Sequence, residues 1–137
     1  MTAVKAGAPW RFLVVGATNT LISVGLIYAC KWFLGFGDAS ANFIGYAIAL
    51  GNSFVLNRGW TFGNAGPILP ALGRFLLVFA LAYVVNLAVV LAAIALLHVN
   101  SYVAHIIGIA PYTVLFYFGS RHFAFRPGAI ESTPAKR

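Results

Sequence analysis

Acidic residues are almost absent from this sequence. The 137 residues hold two, Asp38 and Glu131, against nine Lys and Arg, and charged residues of either sign make up only 8% of the chain. Soluble domains carry about 25% charged residues, so a chain that is 61% hydrophobic has too little polar surface to cover a globule. Neither acid lies inside an apolar segment, which counts against an exporter of cationic solutes, because such a protein needs a membrane-embedded carboxylate. Cysteine is limited to Cys30, so an intrachain disulfide is excluded. The histidines, His98, His105 and His122, are scattered without ligand spacing, and no metal site is expected. There is no nucleophile–base pair and no nucleotide-binding motif. The net charge of +7 could suit nucleic acid, but no soluble domain exists to present a basic face, and the charges flank apolar runs instead. These absences describe an integral membrane protein that is not an enzyme and carries no cofactor.

What the chain has is long apolar runs. A helical span needs about 20 such residues, and four segments qualify, at about 10–34, 39–57, 74–97 and 101–120. Turns at 35–38 and 98–100 separate them, and between the second and third lies a stretch rich in breakers, Gly63-Asn64-Ala65-Gly66-Pro67-Ile68-Leu69-Pro70. The first apolar run is too long for a signal-peptide core and no small-x-small cleavage site follows it, so it is read as a retained span. Residues 1–126 form one membrane domain on this reading, and 127–137 a disordered tail. Eight cations (Lys5, Arg11, Arg58, Arg74, Arg121, Arg126, Lys136, Arg137) fall on one side of the four spans and only Lys31 on the other. That bias puts both termini and the linker, 63–73, in the cytoplasm.

The second span ends in Asn57-Arg58-Gly59-Trp60-Thr61-Phe62, and the fourth in a weaker copy, Ser120-Arg121-His122-Phe123-Ala124-Phe125, 63 residues later. At the same offset Arg11-Phe12-Leu13 matches Arg74-Phe75-Leu76. Residues 11–62 and 74–125 share 13 identities in 52 pairs without a gap. Apolar identities mean little in membrane segments; the pairs Arg11/Arg74, Arg58/Arg121, Phe62/Phe125 and Gly45/Gly108 carry the case for an internal repeat. Each copy has two spans, so both copies keep one orientation and an axis along the membrane normal should relate them. The expected fold is an all-α transmembrane four-helix bundle of two tandem two-helix repeats.

Several polar residues lie within the spans. By the helical rise, Asn19 is roughly 12 Å beyond Arg11, Asn52 roughly 9 Å from Arg58, and Asn86 roughly 18 Å beyond Arg74. Gly16, Asn19, Thr20, Ser23 and Ile27 share one helix face, as do Asn42, Gly45, Ala49, Asn52, Ser53 and Leu56. Small residues and amides at such spacing serve helix packing; the same Asn19, Asn52, Asn86, Asn57, Ser23 and Ser53 are also candidates to line a polar path. Pro111 interrupts the fourth span, as a static kink or as a hinge. His105, at the outer end, is a packing residue or a proton relay.

Arg11, Arg58, Arg74 and Arg121 sit at the cytoplasmic ends of all four spans. Ordinary positive-inside flanking requires only charge. Arginine in all four places, with its bidentate grip on phosphate oxygens, suits an anionic lipid headgroup. Trp60, Phe62, Phe123 and Phe125 are read as interface aromatics.

Arg11-Phe12-x-x-Val15-Gly16-x-x-Asn19 opening the first span and Asn57-Arg58-x-Trp60-Thr61-Phe62 closing the second resemble the GtrA-like family, as does the four-span layout from about Trp10 to Phe125. The resemblance implies a small bacterial inner-membrane protein that moves a polyprenyl-phosphate-linked monosaccharide across the membrane for cell-envelope glycosylation, beside glycosyltransferases of the same pathway. Arg58 and Arg121 would then capture the phosphate, helped by Arg11 and Arg74. The asparagines would replace water around the sugar hydroxyls, and the prenyl tail would stay among the membrane lipids. The second copy departs from the motif at Phe123 and Ala124. The alternatives are a membrane scaffold that recruits a glycosyltransferase and a small-solute exporter. Four spans enclose little volume, which leaves a homodimer open.

Overall fold

The computed structural model describes residues 8–126; the expected disordered tail and Lys5 lie outside them. Four helices follow in order: α1 (Pro9–Phe33), α2 (Asp38–Leu56), α3 (Ile68–Leu97) and α4 (Ser101–Gly119). Helices α2 and α4 run on without a break into five-residue π-helical turns, Asn57–Thr61 and Ser120–Ala124. Regular structure among the described residues is helical throughout, and all four segments are long and apolar enough to cross a membrane. Helices suit such sequences because every backbone group is satisfied within the segment. The hydroxyls of Thr18 and Thr20 follow the same logic, donating to the carbonyls of Val14 (2.9 Å) and Gly16 (3.1 Å) one turn back.

The helix ends are encoded locally. Pro9 stands at the first turn of α1, where its missing N–H leaves no bond unmade. Gly35, at φ 66°, takes the left-handed turn after α1, and His98, at φ 51°, does so after α3. Asn100 caps α4, its Oδ1 accepting from the Val103 amide at 3.0 Å. Lys31 and Asp38 form an ion pair across the α1–α2 turn. Helix α3 begins earlier than the expected 74. Pro70 belongs to the breaker-rich stretch, but it falls in the first turn of α3, where proline is tolerated, so the linker is confined to 62–67.

Helix α1 packs on α2, and α3 on α4, as two antiparallel hairpins. Each crossing is set by a buried glycine. A Cβ on Gly45 would lie 2.7 Å from Ile27 Cγ1 and 3.0 Å from the Ser23 carbonyl; one on Gly108 would lie 2.6 Å from Asn86 Nδ2 and 2.9 Å from Val90 Cγ2. Close approach is what drives helix association where lipid removes the hydrophobic incentive.

The hairpins meet through an aromatic core at one end, built on Phe12, Phe54, Phe62, Phe75, Phe116, Tyr117 and Phe125. Its contacts come in pairs displaced by 63 residues. Phe12 meets Tyr117 at 5.4 Å and 71°, and Phe75 meets Phe54 at 5.5 Å and 63°. Phe62 meets Tyr117 at 5.9 Å and 38°, and Phe125 meets Phe54 at 5.7 Å and 36°. Phe62 and Phe125 stack on each other at 5.4 Å and 23°. These two rings are therefore core, 8% and 3% exposed, and not the interface aromatics expected of them. Their place at a span end satisfies the belt pattern, but the partner across the hairpins buries them. Trp60 and Phe123 remain exposed.

Candidate functional site

The aromatic core closes the end of the bundle where α1 and α3 begin and the two π-turns finish. A π-turn bonds each amide five residues back, as Phe62 N–H does to Asn57 O (2.9 Å) and Phe125 N–H to Ser120 O (2.8 Å). The last carbonyls of such a segment have no partner further along the helix and carry its negative dipole end, so they favour a cation. Arginines supply it. Arg11 Nη1 donates to Trp60 O at 3.0 Å, and Arg74 donates through Nε (3.4 Å) and Nη2 (3.3 Å) to Ala124 O. Each hairpin thus closes with the arginine at the start of its first helix holding the end of its second.

The π-turn arginines point elsewhere. Arg58 Nη2 donates to the carbonyl of Gly66 in the linker, whose Asn64 N–H bonds back to Arg58 O at 2.8 Å. Arg121 Nη1 reaches the Tyr117 hydroxyl, at 3.5 Å. All four guanidinium-bearing residues are partly buried, and the Nε atoms of Arg11 and Arg58 are buried without a hydrogen-bond partner. Among the described residues the only acid, Asp38, is paired with Lys31 at the opposite end. These four cationic groups lie at one end of the bundle, and among the described residues no counter-charge stands beside them, an arrangement whose electrostatics favour an anion.

The polar-path candidates divide among several places. Asn52 Nδ2 donates to Asn19 Oδ1 at 2.8 Å across the α1–α2 seam. Ser23 is buried against Gly45 in the same seam, whereas Asn86 lies at the α3–α4 crossing beside Gly108. Asn57 is 1% exposed, donating to Ser53 Oγ (3.1 Å) and accepting from Thr61 Oγ1 (2.9 Å), so both of these polar candidates are engaged in a chain along the first π-turn. The equivalent place in the second π-turn holds Ser120, buried with no partner for its Oγ.

Two contributors carry little signal in the sequence. Asn64 fastens the linker to the second π-turn, donating to Phe125 O (3.1 Å) and Arg126 O (3.3 Å) while its Oδ1 accepts from Gly66 N–H (3.1 Å). An Asn two residues before a Gly is an Asx-turn signal that could have drawn attention to it. The second is the aromatic core, whose trace was the recurrence of Phe12 as Phe75.

A family model described as GtrA/DPMS, transmembrane domain, matches residues 11–125. A search of curated proteins found no match to the chain.

Proposed function

The chain belongs to the GtrA/DPMS transmembrane-domain family, a multi-pass membrane protein family, and on that premise we propose that it translocates a polyprenyl-phosphate-linked monosaccharide across the bacterial inner membrane for cell-envelope polysaccharide glycosylation. The observation that carries the proposal is that Arg11, Arg58, Arg74 and Arg121 gather at one end of the bundle with no carboxylate beside them among the described residues. A polyprenyl phosphodiester brings about one negative charge. Taking an ion out of water costs several kcal/mol even after relaxation. A guanidinium about 4 Å away returns about 4 kcal/mol at the effective dielectric of a protein surface, so two arginines suffice to offset the cost. Arg58 and Arg121 capture the phosphate, helped by Arg11 and Arg74, which also secure the two π-turns. Asn19, Asn52 and Asn86 serve the sugar hydroxyls, while the prenyl tail stays in lipid.

We place this end in the cytoplasm, since the eight-against-one distribution of cations favours it. The contacts paired at 63 residues support a two-fold relation between 11–62 and 74–125 about the membrane normal. Glycosyltransferases of the same pathway are the natural partners, supplying and consuming the lipid-linked sugar. A scaffold that recruits such an enzyme is the second reading, favoured by the carbonyls that already occupy the arginines, which give each one a structural task without any lipid. Transport of a short-chain polyprenyl-phosphate sugar into liposomes containing this protein alone separates the two readings: the translocator moves it, the scaffold does not.

A further inference from the structure

The two arginine-closed ends share a π-turn but differ in side chains. At the first, the Arg11 guanidinium lies 5.4 Å from the Trp10 ring and 5.5 Å from the Trp60 ring. The two indoles stand edge to face, 5.5 Å apart at 86°, so they form a corner with the cation against both walls. Both rings remain open, Trp10 at 56% exposure and Trp60 at 40%. Only Nη1 of Arg11 has a hydrogen-bond partner among the described residues, which leaves Nη2 for an anion. At the second end the place of Trp10 is taken by Gly73 and that of Trp60 by Phe123. Arg74 there commits both Nε and Nη2 to a single carbonyl, Ala124 O.

A glycosyl phosphate presents two chemistries side by side: an anion, and a sugar ring whose C–H faces are apolar. An indole wall beside a guanidinium answers both, the ring face taking the sugar's C–H face and the free Nη2 the phosphate oxygen. We propose that Trp10, Arg11 and Trp60 form the sugar-recognition corner of the headgroup site, so that the sugar is read at the first hairpin only. This rests on the lipid-linked sugar reading above and deepens it by naming where the sugar is told apart from bare phosphate. Tryptophans serving only as a membrane belt would hold the protein at the interface without distinguishing the two lipids.

The test is the preference ratio: affinity for a short-chain polyprenyl-phosphate monosaccharide over the same polyprenyl phosphate without sugar, measured in detergent by fluorescence on a Trp32→Phe background. Trp32 lies exposed at the opposite end of α1 and would otherwise mask the signal. The sugar-bearing lipid should perturb the remaining emission more than the bare lipid does. Trp60→Phe keeps the backbone carbonyl that holds Arg11 and should cut the ratio by about twofold to tenfold, the range for one aromatic contact. Trp10→Phe should cut it similarly, which guards against a fold defect in either variant alone. Phe123→Trp should leave it unchanged, because the second end lacks the other wall. An unchanged ratio in both tryptophan variants, with both lipids still bound, overturns the corner and spares the phosphate site. Failure of wild type to bind either lipid overturns the corner and the transport proposal together.

Discussion

Replacing Arg58 by lysine keeps its charge and removes its fork. In the structure Nη2 of Arg58 already holds the Gly66 carbonyl, and Nε is buried without a partner. A lysine has one nitrogen for both tasks, so the linker and a phosphate must compete for it. Charge-assisted hydrogen bonds are worth about 1.5–3 kcal/mol each, so the loss of one during headgroup capture corresponds to roughly a tenfold to hundredfold fall in transport. The linker contact alone would lower stability and leave transport per folded molecule intact. The assay is therefore transport of a short-chain polyprenyl-phosphate sugar divided by the folded fraction, taken from thermal unfolding in detergent. Arg74→Lys is the comparator: its fork spans one carbonyl, so it should lose stability with the smaller effect on transport. Arg126→Lys, an exposed residue outside both π-turns, should be silent. Wild-type transport by Arg58→Lys at full correction would return Arg58 to a topology and linker residue.

Gly45→Val should destabilise the protein by about 1–3 kcal/mol, since its Cβ meets the Ser23 carbonyl as well as Ile27, whereas Gly16→Ala, with nothing within 4 Å, should be neutral; thermal unfolding of the two in detergent reads the contrast. On a Cys30→Ala background, cysteines placed at Asp38 and Asn100 should label from outside intact cells and one at Asn64 should not. Labelling of position 64 from outside would reverse the proposed orientation.

Much of the architecture was legible because hydropathy and breakers fix where apolar helices start and stop. Ends of α1, α2 and α4 fall within a residue or so of the expected ones. Pro70 misled the start of α3 because proline breaks a helix interior but not its first turn. The π-turns were not legible at all. Asn57–Phe62 stood out as an arginine-bearing boundary, but a π-turn needs only a shift of the bonding register from four residues to five, which leaves no compositional mark. Nor could the sequence show that Arg11 and Arg74 meet the carbonyls of Trp60 and Ala124, because these partners are 49 and 50 residues away and carry no side-chain signature. The burial of Phe62 and Phe125 failed for the same reason: each ring's partner lies on the other hairpin.

The central proposal is that this chain carries a charged, sugar-bearing lipid across a bilayer. The most direct measurement is the rate at which a short-chain polyprenyl-phosphate monosaccharide, supplied outside liposomes, becomes protected from an outside reagent that oxidises exposed sugars. Liposomes holding the purified wild-type protein should protect it far faster than protein-free liposomes, and those holding Arg58→Lys should fall roughly tenfold to hundredfold below wild type, as the lost phosphate bonds require. Protection at the protein-free rate, by a folded wild-type protein that still binds the lipid, would contradict the account and leave the arginine end as a docking place for an enzyme.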